Sequence, residues 1–356
     1  MADISETQNV DAIVGGYRKR SFKRLALVIA AAVALFVTVV VDVTTGPADV
    51  SFWRVAEVII TPWTATPKEE VIIWDLRLPV AMMAVVVGAM LGVAGAELQT
   101  ILNNPLAEPF TLGIAPAASF GAATAIVLGW SVLPGVGALF VTVNAFFFAM
   151  VASLLLFLVS RMRGANPETM ILLGIAMLFT FNALLAFLQY GASELQLAQL
   201  IFWQLGSLAR ATWPKVGICC AVLFVILPYF LHRTWALTAL RMGEDKAAAL
   251  GVNVNALRLT VLAGVSLLSA VAVSFVGAIA FVGLVGPHIA RMIVGEDQRG
   301  FLPLSALSGA LILSGTSILS KAITPGIIYP IGMITSLVGI PFFVSLILGQ
   351  RKRHWE

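Results

Sequence analysis

Charge is what this sequence has least of. Only 11% of its 356 residues are Asp, Glu, Lys or Arg, against 60% hydrophobic residues and a mean hydropathy of +0.98. Soluble domains carry about 25% charged residues. A soluble helical protein would also show a polar stripe on each helix, and the apolar runs here show none. No Gly-x-x-x-x-Gly-Lys-Ser/Thr phosphate loop occurs, so the chain is not expected to be an enzyme that hydrolyses ATP by itself. Histidine is limited to His232, His288 and His354, none with a second ligand at metal-binding spacing, and no Ser, His and acid set stands out. Cys219 and Cys220 are neighbours inside an apolar run, where a disulfide between them is geometrically unfavourable, and they read as small packing residues. Carboxylates inside apolar runs are scarce. Glu97 is the clear case, with Asp42 at the end of a run. A carrier driven by an ion gradient usually needs several along its path, and one near an interface reads as snorkelling or helix-end chemistry.

What the chain has is apolar length. A bilayer core takes about 20 apolar residues per helix. Runs of that kind fall at 23–44, 79–102, 110–129, 133–159, 168–190, 213–231, 256–275, 277–294, 302–322 and 331–349. That makes ten, or nine if the seventh and eighth, divided only at 274–277, are one. The expected fold is all-α, a polytopic membrane protein of about ten transmembrane helices. The expected organisation is a polar tail at 1–22, a membrane domain at 23–350 and a short tail at 351–356. With the N-terminus inside, the inner segments hold sixteen of the 22 Lys and Arg residues, leaving Arg54, Lys68, Arg77, Arg210, Lys215 and Lys321 outside. The positive-inside rule favours that orientation, which places both termini in the cytoplasm. The net charge of +4 then needs no nucleic acid to explain it. No small-residue cleavage site follows the first run, so a cleaved signal peptide is not expected.

The charged stretch at 241–252 (RMGEDKAAALGV) stands apart from this background. Glu244 and Asp245 suit the positive end of a helix dipole, Ala247 to Leu250 propagate a helix, and Gly251 is placed to end it. Asn253 or Asn255 could then cap a second short helix leading into the next run. A folded knuckle between membrane runs, within 236–255, is a handle for a partner. Other polar islands interrupt the spans. Residues 103–109 (NNPLAEP) make a tight inner loop, and 281–288 (FVGLVGPH) place glycine and proline within a run. A break of that kind is tolerated only where protein or a water-filled cavity surrounds it. Gly88, Gly92 and Gly95 permit close helix contact and read as packing rather than as a pore lining.

Taken in order, these residues resemble the FecCD family of permease subunits of bacterial ABC importers for iron-siderophore complexes, haem and cobalamin. The similarity runs through Arg77-Leu78-Pro79, Gly95-Ala96, Gln99, Asn104-Pro105-Leu106-Ala107 and Leu112-Gly113-Ile114. It continues through 205–208 (LGSL), Gly243-Glu244, 249–252 (ALGV), 281–284 (FVGL), Pro287-His288 with Arg291, Pro330-Ile331-Gly332 and 339–343 (GIPFF). The resemblance implies a homodimer in the bacterial inner membrane, two separate ATP-binding cassette subunits and one periplasmic or surface substrate-binding protein. ATP and Mg would sit on those partners, with no cofactor and no metal on this chain.

By resemblance, Arg241, Gly243, Glu244, Asp245, Ala248, Leu250 and Gly251 belong to an ATPase-coupling segment. Asn104, Leu106, Pro167 and Glu168 match a cytoplasmic gate. Phe281, Gly283, Pro287, His288 and Arg291 form a family motif at a helix break. Arg77 and Lys321 match outer cations that dock the binding protein, and Arg54 or Arg210 could substitute where the family's second arginine is Val80. As bare sequence, Asn166-Pro167-Glu168 is an ordinary helix start. A ferric siderophore is the favoured cargo, with haem and then cobalamin as alternatives. An ion-driven carrier, which would not need the coupling knuckle, is a remoter one.

Overall fold

The computed structural model describes residues 2–48, 50–162, 166–324 and 326–350, with side chains between residues 22 and 345 except Lys23 and Ala138. The tail at 351–356, Arg163 and His354 lie outside the described residues. The backbone of 2–22, expected as a tail, continues the first helix.

Among the described residues there are fifteen α-helices and no strand. The chain opens with α1 (Ala2–Thr44), a short surface helix α2 (Phe52–Ile60) and one turn, α3 (Pro67–Glu70). α3 runs through wider π-type turns at Val71–Arg77 into α4 (Leu78–Ile101), so 35 residues from Pro67 to Ile101 are helical without a break. α5 (Ile114–Leu128), α6 (Phe140–Ser160), α7 (Pro167–Tyr190), α8 (Glu194–Gln204) and α9 (Trp213–His232) follow. Two short helices, α10 (Thr234–Arg241) and α11 (Glu244–Ala249), lead into α12 (Val254–Val276), α13 (Val282–Val294), α14 (Gln298–Ala322) and α15 (Ile331–Gln350).

Seven of these are long and apolar enough to cross a membrane, and α5, α13 and α15 are shorter apolar helices among the described residues. The ten fall one for one on the ten apolar runs. α5 and α13 start later than their runs because each is preceded by chain that leaves the helical path. Ahead of α5, Asn103 and Gly113 both adopt left-handed backbone, with φ of 44° and 80°. Ahead of α13, Gly277 ends α12 and Phe281 is itself left-handed at φ 70°.

α4 is hydrophobic on every side, as a central helix should be, and is buried along most of its length. A Cβ on Gly88 or Gly92 would strike the backbone of Gly309 or Ser305 on α14, and one on Gly95 would overlap the Gly283 carbonyl of α13. The glycines thus let three backbones approach, and with so little apolar driving force between helices in lipid, that closeness supplies the dispersion that holds them. α1, by contrast, exposes Ile29, Val33 and Phe36, a face suited to lipid. Glu97 does not snorkel. It is fully buried in α4 because neighbouring helices surround it, and its carboxylate oxygens have no hydrogen-bond partner among the described residues.

Candidate coupling foot and inner gate

The charged knuckle folds as a two-helix foot. Gly243, at φ +114°, turns the chain between α10 and α11, and Glu244 and Asp245 occupy the first turn of α11. Gly251 at φ +84° closes the helix while Val252 N donates to Ala247 O at 3.0 Å. The partner helix, however, precedes α11 rather than following it. Asn253 Oδ1 accepts from Ala256 N at 3.0 Å and so caps the spanning helix α12 directly. The missing signal was in 234–241, where Leu237 and Leu240 bury themselves and make α10 a helix.

Ala247 anchors the foot from within, and Glu244 accepts from the buried Arg258 of α12. Asp245, Ala248 and Leu250 remain exposed, so the foot is fixed on one side and presents a face on the other.

From the foot a polar line runs into the bundle. Arg241 Nη1 donates to Asn103 Oδ1 at 3.1 Å, and the same guanidinium pairs with Glu296 in the α13–α14 connector. Arg291 Nε lies 3.2 Å from the same Glu296 oxygen, and its Nη2 donates to Gln99 Oε1 at 2.7 Å. Gln99 Nε2 in turn reaches Gly283 O at 3.4 Å. That carbonyl is free because the residue four positions on is Pro287, which has no N–H to give it. Pro287 therefore sits inside α13 together with Gly283, His288 and Arg291, and the helix break expected across this motif falls ahead of it, at 277–281. His288 meets the Phe342 ring of α15 edge-on at 6.2 Å.

The two loops expected to form a gate behave differently. Asn104 Oδ1 accepts from Leu106 N at 2.9 Å, a local turn that leaves Leu106 half exposed. Pro167 and Glu168 begin α7, capped by Asn166 Oδ1, which accepts from Thr169 N at 2.9 Å. The structure links the loops one step deeper, where Leu112 packs on Gly174 of α7. Glu296 and Arg258 were the residues least visible beforehand, whereas Gln99 and Asn103 stood within the motifs with no contact assigned to them. An acidic pair, Glu296-Asp297, in an inner connector otherwise rich in arginine was the available signal. Asp297 caps α14 and pairs with Arg24 of α1 at 2.6 Å. Burial raises its pKa, but that bond, together with Arg299, holds its carboxyl below the ordinary value.

At the opposite end of the bundle the four expected docking cations have other engagements. Arg77 is buried and donates to the carbonyls of Val43, Thr44 and Ala48. Lys321 Nζ pairs with the buried Asp42 at 2.8 Å. Arg54 grips Glu69 with two bonds, at 2.7 and 2.8 Å. Arg210 lies against the Trp203 ring at 6.0 Å, and burial pushes its guanidinium below its ordinary pKa. No group of three or more metal-ligating side chains occurs among the described residues.

A bundle of ten apolar helices carrying an exposed, charged foot defines a polytopic membrane protein. The chain belongs to the FecCD transport family, whose profile matches residues 34–349. It is 36% identical over 285 residues to the hemin transport system permease HmuU of Yersinia pestis, covering 79% of this chain and 85% of that one. It is 34% identical over 305 residues to the vitamin B12 import permease BtuC of Vibrio vulnificus, covering 85% and 91%. Among solved structures it is similar to an inward-facing transporter described as of the metal-chelate ABC type, with TM-score 0.79, 29% identity and coverage of 91% and 99%.

Proposed function

We propose that this chain is the membrane-spanning subunit of an ATP-driven importer that carries a ferric siderophore into the cytoplasm. Two copies form the path. Two ATP-binding cassette subunits, holding ATP and Mg, sit beneath the feet, and a soluble binding protein delivers cargo at the opposite face. Both termini lie in the cytoplasm. The observation that carries the reading is the foot itself, anchored by Ala247 and Arg258 while Asp245, Ala248 and Leu250 face outward. Closure of the ATPase pair would draw the feet together. The Glu244–Arg258 pair passes that displacement to α12, and Arg241 passes it to the inner end of α4 and to the Asn104–Leu106 gate loop. Packed helices switch as rigid bodies, so a small shift at the foot reopens access on one side or the other.

Relatives named for haem and vitamin B12, and the metal-chelate transporter, support a large chelate-type cargo. The stretches 100–104 (TILNN) and 109–114 (PFTLGI) resemble those of iron-importing members of the family, and that resemblance favours the siderophore. Uptake of a radiolabelled ferric siderophore into proteoliposomes holding the permease and its cognate ATPase and binding protein tests this. The expected result is uptake that requires ATP and Mg. Uptake that persists without the ATPase would overturn it, and uptake of only haem or only cobalamin would replace the cargo and keep the machinery.

A further inference from the structure

At the end opposite the foot, a cavity of about 1070 Å³ opens, with Arg77, Arg210, Lys215 and Lys321 on its wall. Among the described residues, no carboxylate lines it. Two of the four cations are already engaged, Lys321 by the Asp42 carboxylate and Arg77 by three neutral backbone carbonyls that leave its charge in place. The other two are engaged less fully. Arg210 makes one 3.5 Å contact with Phe202 O and rests on Trp203, while Lys215 Nζ donates to the backbone carbonyl of Arg210 itself at 2.8 Å. Two like charges are thus held side by side, half-buried, without an acid within ion-pair reach among the described residues. Partial desolvation with mutual repulsion is unfavourable unless an anion completes the set. Most of the remaining wall is apolar, Phe202 and Trp203 included.

We infer that this cavity is a site for an anionic group on an apolar body, a carboxylate or phosphate seated between Arg210 and Lys215. A planar guanidinium beside an ammonium offers several donors to two oxygens, and an aromatic floor takes the hydrophobic remainder. Two sources share that chemistry, an anionic cargo and the headgroup of an anionic phospholipid. Only the cargo source rests on the permease reading, since binding here needs no ATPase.

The test uses the intact permease in nanodiscs, with Arg210→Gln, Lys215→Gln and the conservative Arg210→Lys. In discs of phosphatidylcholine alone, haem serves as a dicarboxylate probe, titrated by tryptophan quenching, with haem dimethyl ester as the control that lacks the carboxylates. In discs containing phosphatidylglycerol, native mass spectrometry counts retained anionic lipid. A cargo source predicts about tenfold weaker haem binding in each Gln variant, recovery in Arg210→Lys and no change for haem dimethyl ester. A lipid source predicts loss of retained phosphatidylglycerol in the same two variants. If all variants match the native protein in both arms, the inference is overturned. It is equally overturned if the variants weaken only capture of the binding protein, which would assign the pair to that interface. Failure of ATP-driven uptake would sink the transport reading and leave this binding result standing.

Discussion

Arg241 Nη1 lies 3.1 Å from Asn103 Oδ1, so the last residue of α10 holds the residue at which the chain turns out of α4. Asn103 is left-handed there, at φ 44°, and its fixed geometry depends on such tethers. The foot and the 103–109 loop are one hydrogen-bonded unit, with Glu296 shared between Arg241 and Arg291.

Glu296→Gln removes the charge that both arginines share. A charge-assisted contact of this kind is worth about 1.5–3 kcal/mol. The expected outcome is ATP hydrolysis within about twofold of native but a fall of about tenfold or more in cargo moved per ATP. Parallel assays of phosphate release and uptake read this ratio. A proportionate loss of both would mean that Glu296 acts on the ATPase or on folding, not on coupling.

Lys321 and Asp42 form a buried pair at the opposite end, with Ser317 Oγ donating to the same carboxylate at 3.1 Å. Removing one partner leaves a buried charge alone and costs about 3–5 kcal/mol. Lys321→Met should therefore lower thermal stability in detergent sharply, and adding Asp42→Asn should restore most of it. If Lys321→Met leaves stability intact and weakens only capture of the binding protein, its role is docking.

Gly95 faces the Gly283 carbonyl with no room for a Cβ, whereas Gly217 on α9 has nothing within 4 Å. Gly95→Ala is expected to cost about 1–3 kcal/mol through overpacking. Gly217→Ala should be neutral or slightly stabilising, since alanine favours helix. Paired melting curves decide it, and equal shifts would contradict the close approach of α4 and α13.

Glu69 is held at a pKa of about 2, below the ordinary 4.5, first by the Arg54 hydrogen bonds and then by Thr66. Because the folded value is the lower one, its contribution is complete above about 4.5 and is lost as pH falls toward 2. Amide-exchange protection of Phe52–Ile60 should be flat from neutral pH to about 5 and decline below about 4. In Glu69→Gln that decline should vanish. An unchanged profile in the variant would show that other groups secure α2.

Much of this fold was legible beforehand because lipid imposes a length rule, which seven helices among the described residues obey, while α5, α13 and α15 are shorter apolar helices among them. The foot was legible for the opposite reason, being charged where its surroundings are not. The exact start of α13 was not legible, since Gly283 and Pro287 look like breakers and yet lie inside a helix. Gln99 repairs the carbonyl that Pro287 leaves open, a long-range compensation that local propensity cannot reveal. Arg77 and Lys321 read as outer cations awaiting a partner, and their inward engagements with Val43 and Asp42 depend on where α1 packs.

Leu250, half exposed at the end of the foot, gives the most direct measurement. A Leu250→Cys variant carrying a short bifunctional cross-linker, in the assembled complex with ATP bound, should join the foot to a nucleotide-hydrolysing subunit at high yield. A cross-link found only to lipid or quenched by solvent, in a complex still active in uptake, would contradict the claim that this permease is moved through α10 and α11.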